Sequence, residues 1–424
     1  MKNIDWIKLQ SKTVAFSHYS AKNDISGVTT WLERLLLRLH SDRIPVVVYL
    51  QHFGSNVEES NLLHTLRQAG IPVEIEPRSL YTENDVHGVL SFLNRHQPQV
   101  FFPQCLQSMY YAAGIAGQAG LPWAMTIHSD DPVYWAIAET ITPDANGGVL
   151  VGVSDYISQT AIEKGLVKQP QTIPYGVSTF QNVASFSDSP FRVAFSGRVV
   201  EEQKRISLVL AAMAQACRLD SRIECLILGD GAARTTSEQW VKAQGLGDRI
   251  HFLGRLEPSA VQAQLAQCQA LLLMSDYEGL PVALLEGMAS GVVPVVRSIP
   301  SGIPEIVKHN QTGLLVDDTP EQAATAIINL ANNADFWLRC SLASKLLITQ
   351  NYSEEVCYQR WLNVIAELSD RSTVRYPIPI PRKISLPPVH PDLVGRDIRK
   401  PTIGDRVVTK VKRLKSKVQH FMIG

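Results

Sequence analysis

Apolar residues fall into short continuous runs along this chain, and the runs alternate with stretches whose apolar positions recur at helical spacing. In the first half the runs cover residues 13–18, 45–51, 72–77, 99–104, 122–129 and 148–154, with helical segments over 29–40, 58–69, 83–96 and 109–120. A strand that alternates apolar and polar residues has one wet face. These runs do not alternate, so both faces of their sheet are covered, as in a parallel sheet between helices. The stretch 173–190, with its proline, glycine and serine, reads as a linker, and the pattern then restarts. FRVAFSG, IECLILG, RIHFLG, ALLLMS, VVPVV and TGLLVD are six more strand candidates with helices between them. The expected fold is therefore α/β, two doubly wound Rossmann-like domains facing each other across a cleft, with ligands beyond the carboxyl ends of the strands. Residues 1–184 would form the first domain and 185–352 the second, with a helix over 353–370 packing back on the first. Residues 319–370 are helical in pattern, with Trp337 and Trp361 as packing anchors, and 371–424 form a proline-rich and then basic tail.

The most informative stretch runs from Ala270 to Ser290, ALLLMSDYEGLPVALLEGMAS. Its first six residues read as a buried strand, Asp276 to Leu280 as a short loop with a glycine for a tight approach, and Pro281 as the first turn of a helix. From Pro281 to Ala289 every residue is apolar or glycine except Glu286, a carboxylate that needs hydrogen-bond donors from either the protein or a ligand. Strand, glycine loop and helix start together aim unpaired backbone N–H groups and the positive helix end at one spot, which suits a phosphate. Glu278 lies just before that helix start and forms E-x7-E with Glu286. Two glutamates at this spacing are commonplace alone; the strand, loop and buried helix around them make them site candidates.

Other candidates end neighbouring strands. Gly197 and Arg198 close the first strand of the second domain, and Lys204 and Arg205 follow at a helix start. Cations beside a glycine turn either neutralise a diphosphate and stabilise it as a leaving group or form a solvated basic turn. Gly229-Asp230-Gly231 and Leu253-Gly254-Arg255 read as tight turns on the same edge. In the first domain Ser26-Gly27 follows the first strand, as a close approach of backbone to ligand or as a plain loop. His128 ends WAMTIHSDD beside Asp130 and Asp131, either as a packed histidine or as a strand-end group facing the cleft.

Composition narrows the class. A chain of 424 residues, 45% apolar and 19% charged, is globular and too long for one core. Its apolar runs stay under ten residues and the start MKNIDWIKLQSK lacks the apolar core of a secretion signal, so a cytoplasmic protein is expected. Six cysteines, at 105, 217, 225, 268, 340 and 357, show no metal or C-x-x-C spacing and are expected to be reduced. No two aspartates are separated by one residue, which leaves no Asp-x-Asp motif for a divalent metal. The formal net charge of zero conceals an asymmetry: residues 371–424 hold thirteen Lys or Arg against three Asp. Residues 372–395 are rich in proline and are not expected to pack as a regular element. Over 405–422 apolar residues fall at helical spacing with lysines and an arginine between them. Such a basic amphipathic helix over residues 404–422 would lie on the inner face of an anionic membrane, dock on the acidic body, or remain disordered.

The blocks GRVVEEQKRISLVL, DYEGLPVALLEGMASGVVPVV and SGIPEIVKHNQTGLLVD, supported by GVSDYISQ and IPYGV, resemble the retaining GT-B glycosyltransferases of the group-one type, family four. The resemblance covers roughly residues 10–370. It implies a hexosyl-type transferase that moves a sugar from a UDP-, GDP- or ADP-sugar to a hydroxyl of a glycan, lipid-linked or small-molecule acceptor. No cofactor, no metal and no nucleic-acid partner would be required. By the same resemblance Arg198 and Lys204 contact the donor diphosphate, and the backbone of Gly279, Leu280 and Pro281 faces the phosphate and sugar. Glu278 lies at the transferred sugar and Glu286 accepts from the ribose hydroxyls. His128 approaches the sugar from the first domain, Gly27 lets the first loop close over it, and Gly197, Gly229, Leu253 and Gly254 line the donor site. The sequence departs from the pattern at three places: Gly27 stands alone where paired glycines are common, Arg205 occupies a frequent glycine position, and Pro300-Ser301-Gly302 replaces a glycine pair. The competing readings are a nucleotide-sugar epimerase on the same architecture and a non-catalytic two-domain sugar-binding protein.

Overall fold

The computed structural model describes residues 5–22, 26–179 and 183–401. The first domain is built on a seven-stranded sheet in the order β3-β2-β1-β4-β5-β6-β7. Its strands are β1 (Val14–Ala21), β2 (Val46–Phe53), β3 (Val73–Pro77), β4 (Val100–Pro103), β5 (Trp123–Ile127), β6 (Gly148–Gly152) and β7 (Gln171–Thr172). The second sheet runs β10-β9-β8-β11-β12-β13. It comprises β8 (Phe191–Ser196), β9 (Ile223–Leu228), β10 (Ile250–Gly254), β11 (Ala270–Leu273), β12 (Val293–Arg297) and β13 (Leu314–Val316). Pairing is parallel throughout both sheets. The central strands are buried on both sides, as their unbroken apolar runs require: Val14, Ala15 and Phe16 of β1 and every residue of β11 are inaccessible or nearly so.

Strand order explains where the cleft lies. In each sheet the chain winds outward through three strands, then returns to the far side of the first one, β4 beside β1 and β11 beside β8. The loops leaving those adjacent strands diverge to opposite faces and leave a crevice at the carboxyl edge. Gly27 follows β1, Gln104 follows β4, Arg198 follows β8 and Glu278 follows β11, so all four sit on such edges.

Some element limits differ from those read in the sequence. The segment 58–69 divides into a short 3-10 turn, Val57–Glu59, and a helix, Asn61–Gln68, because Ser60 leaves the helical path to cap it, its hydroxyl accepting from the Leu63 amide at 3.1 Å. Pro281 is the N-cap of helix Val282–Ala289 rather than part of its first turn. The stretch 173–190 joins the two sheets, yet Ile173, Tyr175 and Val177 are all buried. Helix Glu354–Arg371 returns to the first domain and sets Trp361 5.3 Å from the Trp31 ring and 5.9 Å from Phe102.

Beyond that helix the described residues 372–401 form a strap along the first domain. The Thr373 amide donates to Gly120 O at 3.1 Å, the Ile378 amide to Asn94 Oδ1 at 2.6 Å, and the Thr82 amide to Ile398 O at 2.8 Å. Ile378 and Leu393 are fully covered. Apart from a 3-10 turn at Pro391–Leu393 the strap has no regular element. The helix expected over 405–422 lies outside the described residues. Among the described residues no helix is long and apolar enough to cross a membrane.

Candidate active site

The second-domain wall centres on an ion pair. Lys204 Nζ lies 2.5 Å from Glu278 Oε1, with the two side chains 14% and 7% exposed, so water screens the pair little. Two loops are stapled together to place it. The Asp276 amide donates to Gln203 O at 2.8 Å and Gln203 Nε2 to Tyr277 O at 3.2 Å, which binds the turn before Lys204 to the loop that carries Glu278. Arg198, exposed at the mouth, donates to Gln203 Oε1 at 2.6 Å. Pro281 gives helix Val282–Ala289 no side-chain cap, and first-turn amides have no partner within a helix. A buried carboxylate, a partly buried ammonium, a surface guanidinium and an open helix start therefore share one wall.

Arg205 is diverted from that wall. It pairs with Asp276 at 3.2 Å and with Asp318, and Arg297 reaches the same two carboxylates at 2.7 and 3.0 Å. This network braces the loop rather than adding free charge to it. Gly197, Gly229 and Gly254 hold three strand ends in close backbone contact. A Cβ on Gly229, whose φ is +148°, would stand 1.8 Å from Gly197 O, and the Gly229 amide donates to Gly254 O at 2.8 Å. Leu253 precedes that contact at the end of β10, which β9 and β8 separate from β11, the strand that Glu278 follows.

Glu286 has a protein partner, the first of the two possibilities its burial left open. Arg34, from helix Gly27–Ser41 of the first domain, donates to Glu286 Oε1 at 3.3 Å and approaches Glu354 at 3.8 Å. Burial raises the Glu286 carboxyl above its usual range, and Arg34 opposes the rise without cancelling it.

The first-domain wall is a buried polar layer at the carboxyl ends of β1, β4 and β5. The His128 ring is held between the Tyr175 hydroxyl, 2.7 Å from Nδ1, and Gln104 Oε1, 2.8 Å from Nε2. Its side chain does not project across the cleft; its backbone does, since a Cβ on Gly279 would meet His128 O at 2.4 Å. His18 Nε2 lies 3.0 Å from Thr29 Oγ1. Burial lowers both histidines to about 3, and for His128 the nearby His18 adds to the effect, so both are neutral near pH 7. In the same layer Ser17 Oγ, His18 Nδ1, Gln104 Nε2 and Thr126 Oγ1 are buried without partners. Such groups suit water or a polyhydroxylated molecule. The carboxylates next to His128 are structural: Asp131 caps helix Pro132–Ile141, and Asp130 accepts from Trp135 Nε1 and the Tyr156 hydroxyl.

The walls touch. A Cβ on Gly27 would meet Val282 at 3.1 Å, and the Gly302 amide donates to Gly279 O at 2.7 Å beside Ser154. Glu305 of the second domain caps helix Asp155–Glu163 of the first, accepting from the Asp155 and Tyr156 amides at 3.1 and 2.7 Å. The structure thus joins Lys204 to Glu278 directly and sets Gly279 against His128 and Gly27 against Val282. Arg34, Gln104, Tyr175, Gln203 and Glu305 escaped the reading of the sequence. Ser154 before DYIS is an N-cap signal, but nothing in spacing connects that helix to Glu305. Among the described residues no three His, Cys, Asp or Glu side chains converge as a metal site.

Residues 178–345 match the family model described as glycosyl transferases group 1. Over 271 residues the chain is 27% identical to an alpha-1,4-N-acetyl-D-galactosaminyltransferase of Campylobacter jejuni, whose name gives a diNAcBac-PP-undecaprenol-linked acceptor; 61% of this chain and 72% of that protein are covered. It is also 27% identical over 191 residues to the amylovoran biosynthesis glycosyltransferase AmsK of Erwinia amylovora, covering 42% of this chain and 46% of AmsK. The chain spans about half the length of that relative. Among solved structures, HepE of Anabaena in complex with UDP-glucose superposes with a TM-score of 0.69 at 19% identity, covering 84% of this chain and all of HepE. TarM of S. aureus gives 0.69 at 12% identity, over 84% of this chain and 99% of TarM. The shared feature is the fold, the two-domain α/β arrangement known as GT-B.

Proposed function

We propose that this chain, whose residues 178–345 match the group 1 glycosyl transferase model, moves a hexosyl-type sugar from a nucleoside diphosphate sugar to an acceptor hydroxyl, with retention at the anomeric carbon and without a divalent metal. The observation that carries the reading is the Lys204–Glu278 pair, set beside an uncapped helix start at the carboxyl ends of β8 and β11, with the His128 carbonyl against the adjoining Gly279. A nucleotide sugar brings its own leaving group, so the protein must screen charge developing on the diphosphate and hold the acceptor in line. Lys204, Arg198 and the amides ahead of helix Val282–Ala289 supply that screening. Glu278 lies at the transferred sugar, where its carboxylate and the His128 carbonyl stabilise an oxocarbenium-like centre. Glu286 takes the ribose hydroxyls, which share it with Arg34 or displace that contact.

A UDP-sugar is the first donor to try, because HepE is described with UDP-glucose; GDP- and ADP-sugars follow. A lipid-linked acceptor is favoured by the Campylobacter relative's name. The same reading places the protein in the cytoplasm, in peripheral contact with the inner membrane face through residues 404–422. The test incubates the purified chain with each donor, with and without a membrane lipid extract, and measures free nucleoside diphosphate. Release that requires both donor and lipid, and persists in EDTA, is expected. Release without acceptor would favour an epimerase, and no release under any condition would favour a non-catalytic binding protein.

A further inference from the structure

We infer that one rim of the first domain, formed by Phe53, Leu80 and Ile398 with Arg78, Arg396 and Lys400, is the surface by which this protein sits on an anionic phospholipid bilayer. This deepens the proposed function and rests on its membrane-facing part, since it states where such a contact lies. The three apolar side chains are 42%, 65% and 42% exposed. They form one patch. The Arg78 guanidinium lies 4.8 Å over the Phe53 ring and donates to Arg396 O at 3.2 Å, and the Thr82 amide, two residues after Leu80, holds Ile398 O at 2.8 Å. Arg396 and Lys400 are exposed. Apolar side chains among cations match the boundary of an anionic bilayer, where the former enter the headgroup region and the latter meet the surface potential.

The rim stands at the acceptor side. Phe53 ends β2 and Leu80 follows β3, so both lie on the carboxyl edge shared with Gly27, Gln104 and His128. In the sheet order β2 and β3 are the two strands outboard of β1, which puts the rim about 5 to 10 Å beyond the first-domain wall of the cleft. The strap determines what else arrives there. It meets the domain at Gly120, just before β5 on the opposite, amino edge, and leaves it at Thr82 on the carboxyl edge. Its exit is fixed by the Gln107 side-chain amide donating to Arg396 O at 2.6 Å, by the Tyr111 hydroxyl donating to buried Asp397 at 2.9 Å, and by the Lys400 backbone amide donating to Glu83 at 3.1 Å. The 23 residues after 401 hold six Lys or Arg against one Asp. The described chain thus ends, at residue 401, on the same side of the same domain as the patch.

The test is co-sedimentation of the full chain with phosphatidylcholine vesicles with or without phosphatidylglycerol. Binding is expected only with phosphatidylglycerol and should weaken as salt is raised. Arg396→Glu with Lys400→Glu should weaken partition by about fivefold or more per cation, and Leu80→Ser with Ile398→Ser should weaken it severalfold, while both pairs melt like the wild type. A chain ending at residue 401 should bind more weakly than the full chain and lose the remainder when Leu80→Ser is added. Rim variants that bind vesicles as the wild type does would overturn the inference. So would rim variants that instead abolish a dimer seen by sedimentation velocity. UDP titration of the rim variants separates this from the transferase reading: retained UDP binding with unaltered vesicle binding sinks the rim alone, and absent UDP binding with rim-dependent vesicle binding sinks the transferase alone.

Discussion

Lys204 and Glu278 neutralise each other in a place that water barely reaches, so each holds the other in a buried site neither would occupy alone. Lys204→Met should therefore lower stability by about 3 kcal/mol, the cost of stranding a buried carboxylate. Lys204→Met combined with Glu278→Gln should recover most of that loss in urea unfolding, while transfer in both variants stays at least about a hundredfold below wild type. Recovery of transfer along with stability would mean the pair is only structural. These two residues were legible in the sequence because each stands just before a helix start that follows an apolar strand, Glu278 beside a glycine. Arg34 was not: in WLERLLLRLH it is one of several charges on an amphipathic helix, and its partner Glu286 lies 252 residues away. Glu305 was hidden in the same way, since the helix it caps lies 150 residues before it.

At the scale of elements, the strands were readable because a strand covered on both faces has to be apolar without interruption, and the helix limits were not, because caps are chosen by local geometry. Ser60 and Pro281 each moved a boundary by serving as a cap. The strap lacks strands and α-helices among its described residues, as its prolines lead one to expect, yet it is packed. Proline forbids a regular ladder of backbone bonds but does not prevent burial, and Ile378 and Leu393 pack fully among prolines. The loop 276–281 carries a close contact between the halves, at Gly279. Gly279→Ala forces a methyl to within 2.4 Å of His128 O, so the loop and the first domain must separate. Overpacking of this kind costs about 1–3 kcal/mol. A lower melting temperature and a larger radius of gyration in small-angle scattering are expected. Gly247→Ala, whose Cβ would meet nothing within 4 Å, should change neither. Equal behaviour of the two variants would show that the contact does not hold the halves together.

For the whole molecule, two sheets of matching winding order face each other with their switch points opposed, an arrangement visible in the sequence as a strand pattern that stops and restarts at Phe191. The relative placement of the halves was not visible, because it depends on a few polar ties between distant residues. Arg34 holds Glu286, and Glu305 caps Asp155–Glu163. Domains joined by such contacts open and close readily, which a substrate-enclosing cleft requires. Every role proposed for it depends on a nucleoside diphosphate entering beside β8 and β11. Calorimetric titration of UDP, GDP and ADP into the wild type, Glu286→Gln and Lys204→Met tests that most directly. At least one of the three should bind at one site per chain, and each substitution should weaken it by at least about tenfold, or roughly 1.4 kcal/mol. No binding by any of them, or binding that both substitutions leave unchanged, would contradict the account.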